Sequence, residues 1–511
     1  MAMRKGRFFL LLLLLLFVGL FLVGQLARRV PEKTVLVLSI DRAVEEEDWA
    51  SLDARFWEGD VVVFRHILEA LERARKDERI AGVSVEIKWV EMSFGKIQEL
   101  RQKLQEFTAS GKFCTVYMQE ATNRSYYLAS ACPEIYLLPK SGVALTGLMG
   151  HTTFLRGSLE KLRVSPDFYR IGEYKNAPDV YTEKKYTAPH REVVTSLLTE
   201  WQKQIVEGIA SGRKLEAARV EQLVREGPYL SQEAVEKGLV DKLFYYDQYR
   251  DLLKQKAGTA ELHTLDWDSY RLRTGPSTGP KIAIVYATGT IIPGTSGYHP
   301  MAGRLLGADT VAGALRSARE DDSVKAIVLR VDSPGGVEYA SEIIRREVIL
   351  AKQKKPVVVS MSDVAASGGY WIAMSANKIV ADPGTVTGSI GIYAGKMNIK
   401  GFYELLGMTK DYVALAPNST FFYAFENFTP EQREILLRYL RDGYQDFIQG
   451  VSEGRGIPVE EVDRIGRGRV WLGGQAKDLK LVDELGGLEQ AVVLAKKMAG
   501  IPSEDSVSFQ V

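Results

Sequence analysis

The sequence predicts an α/β protein built as a tandem duplication behind a hydrophobic N-terminal segment, and three observations predict it. Short apolar runs alternate with longer amphipathic ones, as strands of a largely parallel sheet alternate with helices. Four short segments of the first half return in the same order in the second half of the 511-residue chain. Between the halves lies a stretch of glycine, proline and small polar residues with no periodicity.

The N-terminus comes first. Arg4, Lys5 and Arg7 precede an uninterrupted apolar run from Phe8 to Gly24, including consecutive leucines from Leu10 to Leu16. At a rise of about 1.5 Å per residue, such a helix is just long enough to cross the hydrocarbon core. Gly24 to Arg29 offers no small-x-small cleavage site, so residues 1–29 are expected to stay attached as a membrane anchor. The basic residues are more numerous before the run than after it, which favours the N-terminus inside and the bulk exported.

The repeat follows. Lys33 to Leu38 matches Lys281 to Tyr286, and Ile80 to Ile87 matches Val324 to Val331. Tyr126 to Ala129 matches Tyr370 to Ala373 at an offset of 244 residues, and Gly238 to Asp241 parallels Lys480 to Asp483. Ordered matches of this kind mark a duplication. Residues 30–273 form the first α/β domain, Thr274 to Pro280 the linker, and residues 281–511 the second domain. Within the second, a strand over Val324 to Val331, a helix over Val337 to Lys352, a strand over Pro356 to Met361 and a helix over Gly368 to Ala376 are expected.

Composition narrows the function. With a net charge of +1, nothing in the charge balance asks for a nucleic-acid partner. Cys114 and Cys132 are the only cysteines, which excludes a disulfide-rich scaffold and a cysteine-based zinc cluster. They are either small buried apolar residues or, in an exported chain, a disulfide. No metal and no cofactor is expected.

Two glycine turns carry the chemistry. Asp332-Ser333-Pro334-Gly335-Gly336 follows one strand, and Ser362 to Tyr370, containing Ala366-Ser367-Gly368-Gly369, follows the next. In a parallel sheet both turns fall at the carboxyl edge, each opening a helix, so free backbone amides converge there. Ser367 stands where strand gives way to helix with small neighbours, and the amides of Gly336 and Gly368 are placed to hold an oxyanion. A lone serine before a helix is usually only a cap. The pairing of the turns argues for a nucleophile.

A serine needs a base. The five histidines show no nucleophile-elbow or triad pattern. Lys175, in Gly172-Glu173-Tyr174-Lys175-Asn176-Ala177-Pro178 directly after a strand-like run, is singled out by position, and the offset of 244 places Ser419 at its counterpart. The first half, conversely, has Asn123-Arg124-Ser125 where the second has Ser367-Gly368-Gly369, and Trp89-Val90-Glu91-Met92 in the region of the Ser-Pro-Gly-Gly turn.

Anchor, tandem halves and both motifs together resemble the signal peptide peptidase A family, also called protease IV, in its long duplicated form, along nearly the whole chain. The resemblance implies Lys175 as general base, Ser367 as nucleophile, Gly336 as the oxyanion glycine, and Ser389, in Thr387-Gly388-Ser389-Ile390-Gly391, as the residue orienting the lysine amine. It implies the Clp-protease/crotonase fold of repeated ββα units and a ring-forming homo-oligomer, a tetramer. The expected function is that of a membrane-bound serine endopeptidase with a Ser/Lys dyad. It would degrade cleaved signal peptides and other exposed apolar peptides on the periplasmic side of a bacterial inner membrane. Two rivals share parts of this pattern: a crotonase-like acyl-CoA enzyme, against which an exported domain argues, and a catalytically inactive membrane scaffold.

Overall fold

The computed structural model describes residues 30–47, 61–275, 278–503 and 505–510. The expected anchor, residues 1–29, lies outside the described residues. Among those described, no helix is long and apolar enough to cross a membrane.

Each half is organised around one parallel sheet. In the first, the strands lie in the order Lys242–Leu243, Glu134–Leu137, Phe113–Met118, Ile80–Ile87, Thr34–Ile40, Thr264–Asp266. In the second, six of the sheet's eight strands lie in the order Glu484–Leu485, Lys378–Ala381, Val357–Ala366, Val324–Ser333, Lys281–Thr288, Ser508–Gln510, and Val357–Ala366 also pairs with Val386–Gly388, to which Val470–Leu472 adds antiparallel. Every neighbour pair within the two six-strand orders is parallel. The two six-strand orders correspond strand for strand, so the duplication read from four short matches extends through the parallel part of the sheet.

Burial on both faces explains the composition of these strands. Helices cover each sheet on both sides, and central strands such as Ile80–Ile87 and Val324–Ser333 are buried along most of their length. A strand with two apolar faces needs no alternation, hence the continuous Val/Ile/Leu/Ala runs. Later in each half comes a long helix, Ala188–Arg213 in the first and Pro430–Arg455 in the second. Each is capped by a threonine, Thr187 or Thr429, whose side chain accepts an amide of the first turn, with proline close behind.

The halves are joined by more than the chain. Helix Phe94–Ala109 of the first packs on strand Val357–Ala366 of the second so closely that a Cβ on Gly95 would stand 2.8 Å from the Ser362 carbonyl oxygen. The strand Ser165–Ile171 pairs antiparallel with Ile392–Asn398 across the divide. Cys114 and Cys132, with Cα atoms 5.3 Å apart, are joined as a disulfide, so the second of the two readings of this pair is the one observed.

Candidate active site

Ser367 lies between the end of strand Val357–Ala366 and helix Gly368–Ala373. Its backbone has φ 55° and ψ −120°, a conformation that costs an L-residue about 1–3 kcal/mol and persists only where the surroundings impose it. Its amide donates to the Gly388 carbonyl at 2.9 Å, and its carbonyl accepts the amides of Tyr370 and Trp371. Backbone on both sides therefore holds the hydroxyl out from the sheet edge.

The Ser-Pro-Gly-Gly turn packs directly against this one. Ser333 Oγ donates to the Gly289 carbonyl and accepts the Gly335 amide, which closes the turn. Gly335 has φ 99°, and a Cβ there would stand 2.5 Å from the Gly368 nitrogen. A Cβ on Gly368 would stand 3.1 Å from the Gly336 nitrogen, so the two amides lie side by side next to Ser367. Only glycine permits that approach.

Lys175 arrives from the other half. The strand Ser165–Ile171 carries the chain across the divide, Gly172 turns it at φ 94°, and Tyr174 donates its amide to the Arg467 carbonyl. A Cβ on Gly468 would stand 2.4 Å from the Lys175 nitrogen, so the lysine loop lies flat on that glycine. Lys175 is 4% exposed, and its Nζ lies 2.9 Å from Ser367 Oγ, 3.0 Å from Ser389 Oγ and 3.1 Å from the Ser389 carbonyl oxygen. Burial, which penalises the ammonium, lowers its pKa to about 7.

The structure thus brings together Lys175, Ser367, Ser389, Gly336 and Gly368, from both halves. Sequence reasoning missed what holds the lysine loop. Arg170 donates to the Lys175 carbonyl oxygen and to the fully buried Asp179, which also accepts Thr187 Oγ1 and lies 3.1 Å from His190 Nδ1. Burial lowers the pKa of His190. No spacing connects these residues; strand, loop and helix meet only in the fold.

Among the described residues, the carboxylates of Glu72, Glu106 and Glu489 approach one another as metal ligands would. The Lys103 ammonium sits among all three as their counter-charge.

Comparison with known proteins adds the family. Peptidase family S49 matches residues 106–260, which contain Lys175, and residues 349–502, which contain Ser367 and Ser389. The chloroplastic serine protease SPPA of Arabidopsis thaliana is 33% identical over 493 residues, 94% of this chain and 72% of that one. Protease 4 of Salmonella typhi is 32% identical over 449 residues, 85% of this chain and 71% of that one. Among solved structures, a ClpP1 mutant from Listeria monocytogenes matches at 16% identity and a TM-score of 0.27, over 41% of this chain and 94% of that one.

Proposed function

The chain belongs to peptidase family S49, as a duplicated serine protease of the SppA type, and we propose that it is an endopeptidase working through a Lys175–Ser367 dyad. The observation that carries this reading is the 2.9 Å contact between Lys175 Nζ and Ser367 Oγ, made by a lysine that burial holds near pKa 7. A free lysine titrates near ~10.4 and is almost wholly protonated at neutral pH, whereas this one is about half neutral.

A neutral amine has two N–H bonds and one lone pair. With the N–H bonds given to the Ser389 carbonyl and Oγ, at 3.1 and 3.0 Å, the lone pair faces Ser367. Ser367 Oγ attacks the scissile carbonyl as its proton passes to Lys175, and the carbonyl oxygen becomes an oxyanion held by the Gly336 and Gly368 amides. Collapse expels the amine, which takes the proton from Lys175 and leaves an acyl-enzyme. Water, deprotonated by the same lysine, then releases the acyl group and restores Ser367.

The larger setting rests on the resemblance and the N-terminal run. The enzyme sits in the bacterial inner membrane by residues 1–29, forms a homo-oligomer and faces the periplasm, where it cuts apolar peptides such as spent signal peptides. Its halves belong with the Clp-protease/crotonase fold, a reading supported by the repeated sheet order. A fluorophosphonate probe tests the nucleophile: labelling is expected at Ser367, and none in Ser367→Ala. A chain starting at Val30 tests the anchor, since it should be soluble without detergent and still cleave a flexible peptide; insolubility under every condition overturns that part.

A further inference from the structure

Immediately before the two glycine turns, the second half's sheet carries an irregularity. Strand Val324–Ser333 pairs with strand Val357–Ala366 in register as far as Val331 opposite Met361, and pairing resumes with Ser333 opposite Ala365. Asp332 alone on the first strand therefore faces Ser362, Asp363 and Val364 on the second. A bulge of this kind re-aims whatever follows it. Here Pro334-Gly335-Gly336 follows on one strand and Ser367-Gly368 on the other, so its shape sets where the oxyanion amides stand relative to the nucleophile.

A residue of the first half fills the bulge. Lys96 is 3% exposed in helix Phe94–Ala109, and its Nζ donates to Asp332 Oδ2 at 2.7 Å and to Asp363 Oδ2 at 2.5 Å, one carboxylate from each strand. Each carboxylate is engaged at its other oxygen as well. Asp332 Oδ1 accepts the Val364 amide at 3.1 Å, across the bulge, and Asp363 Oδ1 accepts the Lys96 amide at 3.0 Å. The latter bond caps the helix from the opposite half, where Ser93 makes no side-chain cap, and the positive helix end favours the carboxylate. Gly95 leaves room for it, since a Cβ there would stand 3.0 Å from Asp363 Oδ1. Burial weighs against the Lys96 ammonium, yet Asp332, Asp363 and the nearby Glu46 outweigh it and hold its pKa well above the usual lysine value. The first half thus sends two buried lysines into the second: Lys175, which burial brings to about 7, and Lys96, which stays protonated.

We propose that Lys96 is a positioning residue for the reaction, clamping the two strands at the bulge so that the Gly336 and Gly368 amides converge on the oxyanion beside Ser367. It acts through Asp332 and Asp363. Without it these two buried carboxylates lose the cation between them, and their repulsion spreads the strands just where the turns begin. The inference rests on the Lys175–Ser367 reading, whose own failure would show separately, as absent fluorophosphonate labelling of the unaltered chain.

Two variants of the full-length chain test it: Lys96→Met, and Lys96→Met with Asp363→Asn, which restores the balance of charge. Each is followed by circular dichroism, by thermal unfolding, by steady-state kinetics on one peptide across pH, and by inhibition with a peptide aldehyde, whose hemiacetal with Ser367 places its oxygen among the same amides. In both, kcat should fall about a hundredfold with KM within about twofold, as when an oxyanion donor is misplaced, and aldehyde affinity should fall by a similar factor. The acid limb of the pH profile should stay near 7, because Lys175 owes its pKa to burial in its own loop. The double variant should melt close to the unaltered chain. A folded variant of either kind with kcat within about twofold of the unaltered chain overturns the proposal. So does an acid limb moved away from 7, which would make Lys96 a support of the base instead, and so does failure of both variants to fold, which would make it structural only.

Discussion

Where the second half carries Ser367, the first carries Asn123, and the surroundings differ as much as the residues. Thr122 and Ser125 form a capping box around Asn123, which opens an ordinary helix Asn123–Ala129. The Asn123 side chain accepts the amides of Thr146 and Gly147 and donates to the Gly147 carbonyl, tying down the next loop. At the matching edge of the second half the backbone is strained at Ser367 (φ 55°) and at Ser389 (φ 53°), and no box relieves it. The counterpart of Lys175, Ser419, stands among exposed turns and caps a local one by accepting the Ala416 amide. One scaffold, copied, has relaxed each edge where the other half keeps its functional group. The fold alone does not make the site; local backbone geometry and one imported side chain do.

The largest effect should come from breaking that division at the dyad. Lys175→Arg, Lys175→Ala and Ser367→Ala are each expected to lower kcat/KM by roughly three to six orders of magnitude while circular dichroism stays unchanged. Arginine must fail because its guanidinium keeps its proton to above pH ~12 and cannot accept one from Ser367. The double variant Lys175→Ala with Ser367→Ala should lose little more than either alone. Substantial turnover by Lys175→Arg rules out the base.

These expectations were open to the sequence in unequal measure. The strands were legible because sheets covered on both faces demand continuous apolar runs, and Ser367 was legible because two glycine turns after neighbouring strands share one edge. Strand ends were less so: the run expected to stop at Met361 continues as strand to Ala366, because its far end pairs with Val386–Gly388. Lys175 stood out only by its place after a strand and by the repeat, since its low pKa comes from burial that no neighbouring residue encodes. Arg170 and Asp179 left no signal, being defined by contacts across elements.

A buried lysine is a cost to the fold, and this sharpens the contrast between a functional and a relaxed edge. The folded pKa of about 7 lies below the unfolded ~10.4, so the penalty is full below pH 7 and amounts to about 4 kcal/mol near neutrality. Between those values the unfolded chain binds more protons, so stability rises with pH until the penalty vanishes near the unfolded value. Lys175→Met should therefore raise the melting temperature at pH 6.5, by an amount that shrinks towards zero by pH 10. In the active enzyme the same titration should make kcat/KM fall about tenfold per unit below pH 7. A melting temperature lowered by Lys175→Met at pH 6.5 contradicts the burial account, and an acid limb well away from 7 contradicts the base.

The smallest effect belongs to the first half. Asn123 occupies the position that matches Ser367 but makes three hydrogen bonds to a loop, in a part-exposed setting. Asn123→Ala should accordingly cost about 1–2 kcal/mol of stability, since two amides lose an acceptor that water replaces only in part. It should leave kcat/KM within about twofold, because the loop it ties serves no group of the dyad. Thermal unfolding beside steady-state kinetics on one peptide separates these outcomes. The harder trial is Asn123→Ser in a Ser367→Ala chain. A serine there meets neither the strained backbone nor a lysine, for the residues matching Gly388 and Ser389 are Ala144 and Leu145. No fluorophosphonate labelling should return. Labelling at residue 123 would mean that a serine at either edge suffices, and a fall in kcat/KM for Asn123→Ala comparable to that of the dyad variants would mean that the first-half edge shares in the chemistry.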